Sequence, residues 1–253
     1  MFKNVIVKSP GKSYVNGLTT SNLGKPDYDR LLAQHAAYVE ALKKCGVEVT
    51  HLPASEEFPD STFVEDTAVL TPGFAVISNP GADSRNGEIA EMERVLKGFY
   101  KELYTIDAPG TLDGGDVLQA DDRFYIGISV RTNQEGAMQL KGILESEGYK
   151  ATIVPLKEFF HLKTGIAYLG NNLIVAAGEF VEHPDFSHYE KIIVSREDEY
   201  SANCIMVNGY VLIPKEFEAT KFKIEQAGYK TIELDMSEFQ KQDGGLSCLS
   251  LRF

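Results

Sequence analysis

The stretch VLQADDRFYIGISVRTNQEGAMQLKGILESEGYKATIV, residues 117–154, contains the pattern that decides the fold. Two short apolar runs, at 117–119 and 124–126, flank a turn and predict a β-hairpin. Apolar residues then recur at helical spacing over 134–147, and another apolar run at 151–154 predicts a strand. The order of hairpin, helix and strand defines a ββαβ module.

This order recurs along the chain. Further hairpins are predicted at 68–77, 166–175 and 205–213. Helices at 86–100 and 217–226, followed by strands at 103–106 and 231–234, complete the first and the last of these modules. The hairpins are about 40 to 50 residues apart, a spacing typical of propeller blades.

The two ends of the chain supply a fifth module. A strand at 4–7 precedes a glycine-punctuated loop and a helix that Asp27 caps, and a strand at 47–52 follows. A strand predicted at 248–253 would pair with the strand at 4–7 and bring the ends together. We therefore predict an α/β fold, a five-module ββαβ propeller that forms a single cyclic domain over residues 1–253.

Composition limits the partners and the compartment. The net charge of −12 and the pI near 4.9 argue against nucleic acid or an anionic membrane as partner, because phosphate binding needs clustered Lys and Arg. Three cysteines at wide, unpatterned spacing indicate a reducing compartment, and no apolar run is long enough to span a membrane. We expect a cytoplasmic protein.

Acids and apolar residues alternate in the loop at 58–67. Asp60, Glu65 and Asp66 lie next to Phe63 and directly before an apolar strand, whereas Glu56 and Glu57 are typical of a solvated face. Burying a carboxylate is costly unless a cation or hydrogen bonds satisfy it. The loop therefore predicts a cationic ligand, and a guanidinium with its five donors matches it well.

Two arginines lie where a hairpin meets its helix. Arg85 and Arg131 occupy equivalent junctions, which a ring of modules would turn toward the same central space. There they could clamp a carboxylate, although a loop arginine in solvent is the alternative for each.

An acid, an imidazole and a thiol stand at the starts of modules. Each has a simpler explanation. Asp113 belongs to an Asp-Gly-Gly sequence that turn formation alone would explain. His161, beside two phenylalanines, and Cys248, at the start of a short strand, could simply be buried core residues. A cyclic fold would bring the three together as acid, base and nucleophile. The chain has no CxxC or HExxH pattern, so we predict no metal site.

Over its whole length the chain resembles the dimethylarginine dimethylaminohydrolases of the guanidine-modifying (pentein) superfamily, which includes arginine deiminase and the amidinotransferases. The similarity is greatest to the bacterial form and implies the five-module α/β propeller. It rests on several motifs: FPDS at 58–61, FVED at 63–66, GT and GD at 110–116, RTN at 131–133, HLKTG at 161–165, AAGEF at 176–180 and DGG with SC at 243–248.

The resemblance implies roles for individual residues. Cys248 matches the nucleophile, His161 the general acid/base and Asp113 the carboxylate that orients the histidine. The substrate would be a methylated arginine, hydrolysed to citrulline and a methylamine without a cofactor, by a homodimer. The implied substrate-binding residues are Leu18 of the lid, Phe63, the guanidinium-binding acids Asp60, Glu65 and Asp66, the carboxylate clamp Arg85 and Arg131, and Gln242 through its backbone carbonyl.

Two other functions remain open from the sequence. Arginine deimination, or hydrolysis of a citrulline-like ureido group, would use the same scaffold and the same acids. A non-catalytic propeller, similar to a ribosome anti-association factor, is the alternative from another class. The thiol and the histidine, both present, and the acidic pI argue against that alternative.

Overall fold

The computed structural model describes residues 1–253 and contains five three-stranded sheets. In each sheet the middle strand is antiparallel to one neighbour and parallel to the other. The fifteen strands are β1 Asn4–Lys8, β2 Glu48–Leu52, β3 Ala68–Leu70, β4 Ala75–Ile77, β5 Leu103–Thr105, β6 Val117–Ala120, β7 Arg123–Ile128, β8 Lys150–Pro155, β9 Ile166–Gly170, β10 Leu173–Ala176, β11 Glu190–Ile193, β12 Ile205–Val207, β13 Tyr210–Pro214, β14 Lys230–Leu234 and β15 Leu251–Arg252.

Helices connect the parallel strands of four sheets. Six helices are present: α1 Tyr28–Lys44, α2 Glu88–Leu96, α3 Gln134–Ser146, α4 Leu162–Gly165, α5 Glu218–Gln226 and α6 Ser237–Gln240. The connections by α1, α2, α3 and α5 give the predicted ββαβ order. Between β10 and β11 the chain forms two 3-10 turns instead, Gly178–Phe180 and Pro184–Phe186.

The predicted pairing of the two chain ends is confirmed. β15 runs antiparallel to β1, with Val5 opposite Arg252 and Ile6 opposite Leu251. The predicted strand at 248–253 was too long, however, because Ser247–Leu249 forms a 3-10 turn and only Leu251–Arg252 pairs as a strand. Cys248 therefore lies in a turn rather than in a strand.

Two compact units divide the chain. Residues 1–64 and 203–253 form the first unit, and residues 65–202 form the second. In the second unit, α3 packs on the β6–β7–β8 sheet through a buried apolar cluster that includes Leu112, Phe124, Ile126, Leu140 and Leu144. The assignment of the whole chain to one domain stays a prediction.

The helix ends follow the sequence signals. The Asp27 side chain accepts a hydrogen bond from the Arg30 amide at 3.0 Å and caps α1. The glycines that follow α1, α3 and α5, namely Gly46, Gly148 and Gly228, have φ of 81°, 87° and 91°. These left-handed conformations end the three helices.

The glycine-punctuated loop between β1 and α1 contains regular structure. It contains a 3-10 helix, Lys12–Asn16, whose first two amides donate to the Glu56 carboxylate at 2.8 Å each. Glu56 is exposed, as expected, but it is also a cap. These two hydrogen bonds lower the pKa of Glu56.

No helix has both the length and the apolar character that a membrane crossing requires.

Candidate active site

The eleven side chains singled out in the sequence fall in both units. The second unit contains Glu65, Asp66, Arg85, Asp113, Arg131 and His161. The first unit contains Leu18, Asp60, Phe63, Gln242 and Cys248.

His161 lies between two carboxylates of the second unit. Its Nδ1 is 3.2 Å from Oδ2 of Asp116, and its Nε2 is 3.7 Å from Oδ2 of Asp113. The Nδ1 contact is oblique, so it is an ion pair rather than a well-directed hydrogen bond. Both acids are buried, whereas the imidazole keeps 11% of its surface exposed. The histidine is therefore held by negative charge on two sides while remaining accessible.

Asp116 is the carboxylate to which the sequence interpretation gave no role. Its Oδ2 accepts hydrogen bonds from Ser129 Oγ at 2.6 Å and from Thr132 Oγ1 at 2.7 Å. Its Oδ1 accepts the Leu162 amide at 3.0 Å, so it also fixes the backbone next to His161. Its position directly before the buried strand β6 is the same signal that identified the acids near Phe63.

The charges around His161 change its protonation. Burial would lower the pKa of His161, but the charges of Asp116, Asp66 and Asp113 raise it to about 9. The imidazole therefore carries a proton at neutral pH. Burial, together with the charge of Asp66, raises the pKa of Asp113 to about 6. Oδ2 of Asp113 is buried without a hydrogen-bond partner and faces the imidazole.

Asp66 stays ionised because Arg85 accompanies it. Nη1 of Arg85 donates to Oδ2 of Asp66 at 2.6 Å, and the Gly115 amide donates to Oδ1 at 2.9 Å. Burial would raise the pKa of Asp66, but the charges of Arg85 and His161 outweigh it and lower the pKa. One ligand atom each from Asp66, Asp113 and His161 lie within 4.8 Å of one another, a spacing that a cation could bridge. The guanidinium and the protonated imidazole oppose a metal ion there.

The two predicted clamp arginines differ in their contacts. Arg85 is 5% exposed, and besides Asp66 it contacts Glu88 through Nε at 3.1 Å and Nη2 at 2.8 Å. Its guanidinium thus neutralises two buried acids, which differs from the expected arginine facing a ligand. Arg131 forms no ion pair, and its guanidinium lies 5.2 Å from the centroid of the Phe160 ring. Binding of a carboxylate by Arg131 stays a prediction.

Glu65 also has an internal cation. Its Oε1 lies 2.6 Å from Nζ of Lys163, and the Glu65 side chain is only 3% exposed. Two of the three predicted guanidinium-binding acids are therefore already paired, Glu65 with Lys163 and Asp66 with Arg85. The sequence predicted that these acids need positive partners, but not that the protein supplies them.

Close packing, rather than turn strain, explains the Asp-Gly-Gly sequence. Neither Gly114 nor Gly115 has a positive φ. A Cβ on Gly114 would lie 2.0 Å from the Glu65 carbonyl oxygen. A Cβ on Gly115 would lie 3.0 Å from Asp66 Oδ1 and 3.1 Å from His161 Cγ. The absence of side chains lets this backbone pass directly beside the acids and the imidazole.

Cys248 is the most accessible of the three thiols. It is half-buried, whereas Cys45 and Cys204 are buried. Burial raises the pKa of Cys45 to about 11 and that of Cys204 to about 12. Because the thiolate is the reactive form, neither buried cysteine is a nucleophile at neutral pH. Cys248 is the remaining candidate.

Two carboxylates of the first unit fasten the loop that precedes α1. Oδ1 of Asp60 accepts the Leu18 amide at 3.0 Å. Oδ2 of Asp243 accepts the Thr20 amide at 2.6 Å. Asp60, predicted to bind a guanidinium, is thus engaged with the backbone of the predicted lid residue Leu18, which is itself exposed.

Phe63 and Gln242 support the chain ahead of Cys248. Phe63 is buried against Gly244, where a Cβ would lie 2.5 Å from its ring. Gln242 is buried, and its Nε2 donates to the Tyr14 carbonyl at 3.3 Å. Direct contact of either residue with a substrate stays a prediction.

We predict that Asp116→Asn lowers kcat by about 10²-fold or more, because the amide removes the negative charge that holds the imidazolium. The basic limb of the pH–rate profile should move to lower pH, since Asp116 is a main cause of the raised pKa of His161. Steady-state kinetics across pH, with exposed Asp122→Asn on the same hairpin as control, provides the check. Wild-type kcat and an unmoved profile in Asp116→Asn would remove Asp116 from the mechanism.

Comparison with known proteins gives this site a family. A family model described as "N,N dimethylarginine dimethylhydrolase, eukaryotic" matches residues 24–208. The N(G),N(G)-dimethylarginine dimethylaminohydrolase of Pseudomonas aeruginosa is 49% identical over 254 residues, covering all of both chains. The protein of that name from Streptomyces coelicolor is 32% identical over 252 residues, 99% of this chain and 96% of its own.

Solved structures of other proteins have the same fold as this chain. The Pseudomonas aeruginosa enzyme, crystallised with citrulline as a variant in which serine replaces a cysteine, matches all of both chains with a TM-score of 0.99 at 49% identity. The N-terminal domain of ArgZ, a cyanobacterial arginine dihydrolase, covers 100% of this chain and 97% of its own with a TM-score of 0.89 at 18% identity, which shows a shared fold. The α/β fold of five repeated modules is thus confirmed. Full-length identity at this level makes the chain a member of the dimethylarginine dimethylaminohydrolase family.

Proposed function

We propose that this protein hydrolyses N-omega-methylated arginine, both asymmetric dimethylarginine and monomethylarginine, to citrulline and the corresponding methylamine. The observation that carries the proposal is the position of the His161 imidazole among Asp66, Asp113 and Asp116, in a chain 49% identical to an enzyme of that name. Oδ2 of Asp113, buried without a hydrogen-bond partner, favours a cationic substrate, and a protonated imidazole suits an amine leaving group.

In the first half-reaction, the Cys248 thiolate attacks the central carbon of the guanidinium. The carbon becomes tetrahedral, and its bond to the methylated nitrogen must break. His161 supplies the proton that this nitrogen needs to leave as a neutral amine, and its pKa of about 9 keeps that proton available at neutral pH. The product is a thiouronium bound covalently to Cys248.

In the second half-reaction, His161 is neutral and acts as a base. It removes a proton from water, which attacks the same carbon. The tetrahedral species collapses, the thiolate of Cys248 leaves, the hydroxyl proton passes to solvent, and citrulline is released. Asp116 and Asp113 stabilise each return of His161 to the protonated state, because both lie beside the ring.

A parallel substrate comparison tests this function. Purified protein is given dimethylarginine, monomethylarginine, arginine and citrulline under the same conditions, and citrulline, ornithine and the released amines are quantified. We expect citrulline to form fastest from a methylated arginine. A strong preference for plain arginine, or the formation of ornithine from citrulline, would overturn the substrate assignment.

The setting of this reaction belongs to the same proposal. Three cysteines at unpatterned spacing, none of them in a disulfide, suit a reducing compartment, and on that ground we assign the protein to the cytoplasm. Cys248 as the nucleophile, a homodimer and a reaction without cofactor or metal follow from the family resemblance.

A further inference from the structure

We propose that Asn203 is a positioning residue for Cys248, an inference that rests on the proposed function of Cys248 as the nucleophile. The Asn203 side chain, in the first unit, forms two hydrogen bonds with Ser247, which immediately precedes the cysteine. Its Oδ1 accepts the Ser247 amide at 2.9 Å, and its Nδ2 donates to Ser247 Oγ at 3.1 Å. Both residues are buried, Asn203 at 6% and Ser247 at 3% exposure.

The turn that carries Cys248 needs such support. Ser247–Leu249 is a single 3-10 turn, and its backbone bond from the Ser250 amide to the Ser247 carbonyl is long, at 3.5 Å. The first amide of a helical turn has no partner within the turn itself. Oδ1 of Asn203 caps that amide from 44 residues away in the sequence. The tertiary contact with Asn203 thus helps to fix the position of the turn.

Gly245 makes this contact sterically possible. A Cβ on Gly245 would lie 2.5 Å from both Cγ and Oδ1 of Asn203. The φ of Gly245 is not positive, so the glycine is required by this close approach and not by turn strain. The absence of a side chain at Gly245 therefore leaves the space that the Asn203 side-chain amide occupies.

Two substitutions remove different numbers of these hydrogen bonds. Asn203→Ala deletes both hydrogen bonds, whereas Ser247→Ala deletes only the bond to Oγ and keeps the capped amide. Because small displacements of a reacting group are costly, we expect Asn203→Ala to lower kcat by about 10²-fold with little change in KM. Ser247→Ala, which leaves a smaller perturbation of the same turn, should lower kcat by about tenfold or less.

Asn208→Gly is the matched control. Asn208 belongs to the same unit, and its side-chain amide also bonds to backbone, at the Phe2 amide and carbonyl and the Cys45 carbonyl. Its φ of 51° suits glycine, so the change removes the bonds without adding backbone strain. We expect this variant to lose thermal stability but to keep the kcat of its folded fraction.

The reactivity of the Cys248 thiol can be measured without any substrate. The protein is treated with iodoacetamide at a series of pH values, and peptide mass spectrometry quantifies the alkylation of Cys248. We expect the pH dependence of alkylation to change in Asn203→Ala and to stay at the wild-type position in Asn208→Gly. Should Asn203→Ala keep the wild-type alkylation profile and lose kcat only in proportion to its folded fraction, the positioning role is refuted. If the wild type turns over no methylated arginine, the proposed function fails while alkylation still decides the role of Asn203.

Discussion

Cys248→Ser is expected to remove turnover, by about 10⁴-fold or more, while leaving the fold intact. A serine hydroxyl at neutral pH remains protonated and is a far weaker nucleophile than a thiolate. The side chain differs in one atom and is half-buried in its turn, so the free energy of unfolding should change little. Turnover of dimethylarginine and a thermal melt measure the two effects.

The matched control for this change is Cys45→Ala. Burial raises the pKa of Cys45 to about 11, so its thiol is not reactive at neutral pH. The alanine should cost stability through the lost buried sulfur but leave kcat of the folded protein unchanged. If Cys248→Ser turned over substrate at the wild-type rate, covalent catalysis through this cysteine would be excluded.

His161→Gln should lower kcat by about 10³-fold, because both half-reactions lose their proton donor and acceptor. The neutral glutamine also leaves Asp116 and Asp113 without the imidazolium between them. Steady-state kinetics with dimethylarginine gives the loss, and His183→Gln, in the loop between β10 and β11, is the control that should keep full activity. Equal activity in His161→Gln and His183→Gln would show that His161 is not the acid/base.

The same substitution changes how stability depends on pH. The pKa of His161 rises from an ordinary 6.5 to about 9 in the folded protein. A raised histidine pKa stabilises the fold fully below pH 6.5, and this stabilisation is lost as pH rises through about 9. The difference in free energy of unfolding between wild type and His161→Gln should therefore shrink across that range. A constant difference from pH 6 to pH 9.5 would contradict the paired imidazolium.

Repeated local patterns allowed most of the fold to be predicted. Hairpin spacing located the sheets, and the strand β12, Ile205–Val207, agrees with its apolar run residue for residue. Asp27 marked the start of α1 because helix capping depends on neighbours in the sequence. The turn around Cys248 was predicted as strand because the local apolar pattern does not reveal the contact with Asn203, far away in the sequence.

The partners of the charged residues could not be predicted in the same way. The position of Asp66 beside apolar residues indicated that it needs a cation, but not that Arg85 provides one. The Asp-Gly-Gly pattern located Asp113. The hydrogen bonds to Asp116, in contrast, are donated by Ser129 and Thr132 on another segment. Such pairings depend on three-dimensional packing, which composition and periodicity do not encode.

Mass spectrometry of the protein quenched during turnover tests the proposed chemistry most directly. Dimethylarginine and monomethylarginine should give the same covalent adduct on the Cys248 peptide, because the methylated nitrogen has left in both cases. The adduct should be absent in Cys248→Ser. Citrulline formation with no adduct on Cys248, or an adduct that retains the methyl groups, would contradict a thiouronium intermediate.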